Sequence, residues 1–171
     1  MVLWVCRAGR YGEYENYFRE KGIIAITWDN LDIDLTKSKS RDEFKNTLSQ
    51  LYPDAKKNTI ANYAGQLYPF VYTMKKDEKV IMPSKINPGI LYVGTITGDC
   101  EYTGQQPYTH IRKVEWDSVT INRSDLDQDI RYTLGANNTI FTINDEKANR
   151  IFGRSRKTLK KTTEPDYPLS D

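Results

Sequence analysis

One histidine, two cysteines and no apolar run of membrane-spanning length occur in this chain of 171 residues. Each scarcity narrows the chemistry. The lone histidine, His110, has no partner at a metal-ligand spacing, so it is read as a structural or surface residue. Cys6 and Cys100 make neither a metal motif nor a disulfide framework. The opening Met-Val-Leu-Trp-Val-Cys-Arg is read as too short for a signal peptide. Reduced thiols in the cytoplasm, with no membrane partner, are therefore the expectation, and the sequons at Asn122 and Asn137 carry no weight there. No Gly-x-Gly-x-x-Gly, Walker loop or nucleophile elbow occurs. Pro53-Asp54 and Asp77-Glu78-Lys79 copy the PD…(D/E)xK lettering of metal-dependent nucleases. Such acids must project from adjacent strands onto one ion, whereas here a helical stretch separates Asp54 from Asp77. No catalytic residue, metal or cofactor is expected, and the chain is read as a non-enzyme.

Net charge is also small, although 28% of the residues are charged. A formal net charge of +2 does not demand a polyanionic partner. Its distribution is less even, because Arg150, Arg154, Arg156, Lys157, Lys160 and Lys161 form a basic run without an acid. That run can touch phosphates, but the preferred reading is a solvated linker.

What is plentiful is tyrosine, 12 against only 5 phenylalanines. An apolar body with a polar tip suits half-buried surfaces, so these rings either complete a small β-rich core or serve as stacking faces. Six strands are expected, over Val2–Ala8, Gly22–Trp28, Lys79–Pro83, Ile90–Gly98, Thr109–Trp116 and Thr139–Ile143. Gly94 in mid-strand marks a bend or a close backbone approach. Helices are expected over Glu13–Lys21, from the capping box Ser40-Arg41-Asp42-Glu43 to Tyr52, and from an Asn58 or Thr59 cap onward, with a restart at Pro69. Two more run from Ser124 to about Leu134 and from Asp145 to Phe152. Leu31–Lys39 is read as a loop free to lie over a pocket. Strand-helix alternation fails after Lys79, so the class is α+β, a small barrel with flanking helices. One domain spans 1–152. Residues 153–171 read as a basic then acidic linker or disordered tail.

The residues with chemistry to offer form a binding set. Arg7 ends the first strand and Trp28 the second; if those strands are neighbours, both side chains reach one rim. Asn62 and Gln66 share a helix face, with Tyr63 beside them. An aromatic plane, an arginine and two amides are the parts needed to hold a heterocyclic base. Each also has a plain reading, as core, surface pair or helix surface.

Trp4-Val5-Cys6-Arg7-Ala8-Gly9, Gly12-Glu13-Tyr14-Glu15, Ile24-Ala25-Ile26-Thr27-Trp28, Tyr52-Pro53-Asp54-Ala55-Lys56 and Thr59-Ile60-Ala61-Asn62-Tyr63-Ala64-Gly65-Gln66-Leu67 carry a wider likeness. So do Phe70-Val71, Pro88-Gly89-Ile90, Gly94-Thr95-Ile96-Thr97-Gly98-Asp99, Tyr102 and His110-Ile111-Arg112-Lys113-Val114-Glu115-Trp116. Ser124, Gln128-Asp129 and Leu134-Gly135-Ala136 complete it. Over residues 2–152 the chain resembles the N-terminal domain of Mrr-like restriction proteins. That resemblance implies a PUA-like (EVE/YTH-like) mixed β-barrel that reads a modified base flipped out of double-stranded DNA into an aromatic cage. It implies a DNA-binding recognition domain of a restriction system, acting with a nuclease domain or subunit. Trp28 then matches a cage wall, and Arg7 to Gly9 the opposite side. Asp29, Asn62, Tyr63, Gln66 and Tyr102 are further pocket candidates, with Tyr108 a guess from position, and Arg10, Arg154, Arg156 and Lys157 are candidate phosphate contacts. Pro69 departs from the family pattern, and the downstream nuclease domain is not in this chain. A free-nucleotide sensor and a ligand-free protein-interaction module are the competing readings.

Overall fold

The computed structural model describes residues 1–162, and the side chains of residues 1–153. The first strand, β1 (Leu3–Cys6), leads into α1 (Glu15–Lys21), which Gly22 closes by donating its N–H to the Phe18 carbonyl. Then come β2 (Ile23–Ile26), a 3-10 turn at Leu35–Lys37, α2 (Arg41–Leu51) and α3 (Lys57–Tyr68). Ser40 caps α2 as its sequence predicts, its hydroxyl accepting the Glu43 N–H at 3.1 Å. The return bond from Glu43 lands on the Lys39 N–H, one residue before the usual capping-box position. Neither Asn58 nor Thr59 caps α3. Lys56, in extended conformation, already starts it, accepting the Ile60 N–H at 2.9 Å. Pro69 opens a single π turn, Pro69–Thr73, where its missing N–H costs least.

The remaining elements are β3 (Lys79–Pro83), β4 (Ile90–Ile96), β5 (Glu101–Tyr102), β6 (His110–Trp116), β7 (Ile121–Asn122), α4 (Gln128–Leu134), β8 (Ile140–Ile143) and α5 (Asp145–Thr162). Two strands, β5 and β7, were not expected. At two residues each they are too short to show alternation. Ser124 does not cap one continuous helix. Asn122 caps a 3-10 turn at Arg123–Asp125, buried Leu126 then lies extended, and α4 begins afresh. The last helix runs past Phe152 to Thr162, where the sequence carries no apolar stripe to reveal it.

The sheet order is β2-β6-β4-β3-β1-β8, with β5 paired to β6 and β7 to β4. Among the described strands only β1 and β3 pair in parallel, because the crossover between them carries α1, β2, α2 and α3. The strands form a curled, half-barrel sheet whose path ends on β2 and β8. The α+β, barrel-like class therefore stands. β1 and β2, however, are not neighbours: β1 lies between β3 and β8, and β2 pairs with β6.

Two cores explain the continuous apolar runs of the central strands. Trp4, Cys6, Val80 and Met82 face one, with Phe18, Ile24, Ile26, Phe44, Leu48, Leu67 and Phe70. Leu3, Val5 and Ile81 face the other, beneath α4 and α5, with Ile130, Leu134, Ala148 and Ile151. A strand buried on both sides loses its alternation. Arg150 straps α5 down: it meets Asp127 at 2.8 Å and Asp129 at 2.5 Å, and also pairs with Glu146.

Gly94 is required by close approach. A Cβ there would lie 2.5 Å from Val114 Cγ1 and 2.9 Å from Trp116 Cε3 on neighbouring β6. Gly94→Ala is expected to destabilise by about 1–3 kcal/mol, the usual cost of overpacking. Chemical denaturation reads this directly, and a change under about 0.5 kcal/mol would show that β6 yields freely.

Candidate functional site

Although β1 and β2 are separated in the sheet, its curl brings the chain after each to one cavity. The volume is about 1070 Å³. One wall is the segment just after β2, Thr27 to Asp29. Another is the loop after β1, from Arg7 to Tyr14. The third is Arg123 with the α4–β8 connection, Leu134 to Asn137 and Thr139, and Lys85 stands in the turn after β3.

Trp28 is half-buried and held by other rings. Tyr63 meets it edge-to-face at 5.1 Å and 74°, and Tyr52 meets Tyr63 at 5.4 Å and 71°. The Tyr52 hydroxyl then donates to the Asp29 carbonyl at 2.8 Å, closing the loop back to the residue after Trp28. Burial pushes that hydroxyl's pKa up to about 12, so it stays a donor. The indole is thus fixed before any ligand arrives. Tyr63 buttresses the wall from behind and does not line the cavity.

Arg7 has a role that spacing could not show. Its Nη2 donates to the carbonyls of Leu134 at 2.6 Å and Ala136 at 2.8 Å, and its Nε to that of Asn138 at 3.4 Å. It gathers the exposed carbonyls at the end of α4, where a cation is favoured, and so builds the third wall. Burial, then the charge of Arg123, lowers its pKa from the usual arginine value. Gly9 turns the chain here with φ +87°, and a Cβ would lie 2.1 Å from Glu13 Oε1. Exposed Arg10 sits over the Tyr11 ring at 5.8 Å.

Other candidates lie elsewhere. The buried Gln66 uses its Oε1 to accept the N–H groups of Thr139 (2.7 Å) and Ile140 (3.3 Å), and its Nε2 donates to Asn62 at 3.0 Å. The Asn62–Gln66 pair therefore staples α3 to β8 and does not line the cavity. Tyr102 donates its hydroxyl to the Asp32 carbonyl at 2.8 Å and tilts against His110, away from the cavity. Tyr108 stacks on Tyr17 at 3.9 Å and meets Tyr14 edge-on. The Leu31–Lys39 loop is no cover, because Leu31 and Leu35 are fully buried and drag it into the core. The side chains of Arg154, Arg156 and Lys157 fall outside the described residues.

Sequence reasoning missed Arg123, Lys85, Tyr11 and the α4–β8 connection. None has a local motif. Only the fold gathers them. Their effect is electrostatic: Arg7, Arg10, Lys85 and Arg123 face Glu13 and Asp29 around one cavity. Among the described residues, no cluster of three or more His, Cys, Asp or Glu side chains could hold a metal ion. No described helix is long and apolar enough to cross a membrane.

A family model described as a domain of unknown function (DUF8426) matches residues 4–144. The chain belongs to that family. The match includes every cavity-lining residue of this DUF8426 domain and stops at the start of α5. No curated protein matches the chain. Among solved structures, that of protein Atu2648 from Agrobacterium tumefaciens is similar at 8% identity and a TM-score of 0.43, covering 88% of this chain and 90% of that one.

Proposed function

We propose that this domain is a nucleic-acid reader of the PUA-like (EVE/YTH-like) kind, accepting a flipped, modified base of double-stranded DNA in the cavity beside Trp28. The observation that carries the reading is an immobilised indole lining a basic cavity that Arg7 and Arg123 also line. A ring held in place loses little entropy when a base stacks on it, and the basic lining attracts the sugar-phosphate that accompanies the base. A volume of about 1070 Å³ is at the top of the range for small-molecule sites, enough for a base with its sugar. The likeness to the N-terminal domain of Mrr-like restriction proteins points the same way. In such a defence system this chain would supply recognition in the cytoplasm, and a separate nuclease domain or subunit the cleavage.

The test is a binding panel of duplexes carrying methylcytosine, hydroxymethylcytosine, methyladenine or no modification. One modified duplex should bind most tightly. Trp28→Ala should erase that preference, weakening binding by about 5- to 150-fold, the equivalent of ~1–3 kcal/mol of stacking, with the far-ultraviolet circular dichroism unchanged. A Trp28→Ala protein that discriminates like the parent would sink the proposal.

The size of the cavity also fits a free nucleotide, which makes a sensor of small ligands the second reading. Duplex binding should weaken steeply with added salt, whereas binding of an uncharged nucleoside should not. A docking module without a ligand has no use for a cavity of this size.

A further inference from the structure

Arg7 and Arg123 bracket the same backbone turn. Arg7 holds the carbonyls on either side of Gly135, at Leu134 and Ala136. Arg123 Nη2 lies 3.9 Å from the position a Cβ on Gly135 would take, and donates to the Arg131 carbonyl at 3.1 Å. Both side chains are half-buried, and both line the cavity. Among the described residues neither has a carboxylate within ion-pair distance. Like charges repel, and the closeness is already felt, since Arg123 disfavours the charged form of Arg7. Two guanidinium groups held at one turn by carbonyl dipoles, with no carboxylate among the described residues within ion-pair distance, leave local positive charge on the cavity lining. Such a pair is stable where an anion completes it, and the guanidinium fork matches phosphate oxygens in particular.

Resting on the reading that the cavity takes a base, we propose that Arg7 and Arg123 form a phosphate subsite in the cavity that Trp28 also lines, so that the ligand is recognised as a nucleotide by base and phosphate together. The phosphate could come from the DNA backbone beside a flipped base or from the 5′ end of a free nucleotide. The chemistry is the same in both.

Inorganic phosphate is the first probe, titrated into the full chain while the arginine Nε–H signals are followed by nuclear magnetic resonance. Saturable shifts at Arg7 and Arg123 are expected. Arg123→Gln should weaken phosphate binding about tenfold, the loss of one charge-assisted contact set. Lys45→Gln, which removes an equal charge from the exposed face of α2, should not. Deoxycytidine monophosphate should bind about tenfold more tightly than deoxycytidine, and that advantage should vanish in Arg123→Gln. A duplex with a neutral methylphosphonate at the flipped position identifies the source: weakened binding points to the backbone, and unchanged binding beside a strong monophosphate effect points to free nucleotide. Trp28→Ala should keep its phosphate affinity, so a failed base wall and a failed phosphate subsite are read separately. Equal affinity for nucleoside and nucleotide, or undiminished phosphate binding by a folded Arg123→Gln protein, overturns the subsite.

Discussion

Arg112→Met is expected to destabilise the protein by about 3–5 kcal/mol, much of the margin a domain of this size possesses. Arg112 projects from β6, is almost wholly buried, and spends its guanidinium on backbone. Its Nε donates to the Phe70 carbonyl at 2.6 Å, Nη2 to Val71 at 3.0 Å and Nη1 to Gly98 at 2.9 Å. The need arises one element away. In the π turn the Met74 N–H reaches back to Pro69, so Phe70 and Val71 would have to wait for the N–H groups of residues 75 and 76. The chain has left the helix by then, and the Lys75 N–H has gone to Glu78. Two buried carbonyls are left over, each costing about 1–3 kcal/mol if unsatisfied. Arg112 meets both and fastens the end of α3 to the sheet. Methionine fills the space and supplies no donor. Arg112→Lys should recover only part of the loss, because one ammonium cannot reproduce the fork. Urea unfolding of the three proteins decides it. A loss under about 1 kcal/mol for the methionine variant would show that the carbonyls find other donors.

This arginine shows what the sequence could not convey. His110-Ile111-Arg112-Lys113-Val114 alternates as a strand should, and a strand it is. Alternation even places Arg112 on the buried side with His110 and Val114, where a charge looks like an error in the pattern. Only knowing that Pro69 opens a π turn, and that β6 passes the freed carbonyls, turns that error into a requirement. Elsewhere local chemistry sufficed: Ser40 with Glu43, Gly22 after α1 and the tight approach at Gly94 were all readable, because each depends on near neighbours or on the missing Cβ itself. The strand pairings were not. An apolar run such as Ile23-Ile24-Ala25-Ile26 says that it is buried and is silent about which strand lies beside it.

The same division runs through the site. Trp28 and Arg7 were legible as the polar or aromatic ends of apolar strands, and the fold brings them to one cavity by curling the sheet, not by pairing the strands. Gln66 misled, since an amide on a helix face looks equally ready for a base edge or for the N–H groups of a passing strand, and β8 claims it. Arg123 was invisible. It follows a two-residue strand and acquires its partner, Arg7, only when the chain closes on itself 116 positions away in sequence.

The pH dependence of stability should carry the mark of His110. This imidazole is fully buried. Its Nε2 accepts the Leu35 N–H at 3.0 Å, and Nδ1 faces the Thr109 hydroxyl, also at 3.0 Å. The first bond requires Nε2 without a proton, so the neutral ring carries its hydrogen on Nδ1. Burial pushes the pKa down from 6.5 to about 4, against a smaller upward pull from Asp34. The unfolded chain therefore takes up a proton as pH falls through 6.5, while the folded chain resists until about 4. The stabilisation from a neutral His110 is complete above pH 6.5 and is lost progressively between 6.5 and 4. Its full size is about 3 kcal/mol, the free-energy equivalent of that difference. Carboxylates also weaken the fold in acid, so the parent alone is not diagnostic. His110→Asn keeps an acceptor for Leu35 and does not titrate. Its stability gap from the parent, measured by urea unfolding at steps from pH 7 to 4, should narrow by about 3 kcal/mol. The result would pin the 3-10 turn at Leu35 to the proton on one ring; a gap that stays constant would mean that His110 titrates in the fold as it does in the open chain.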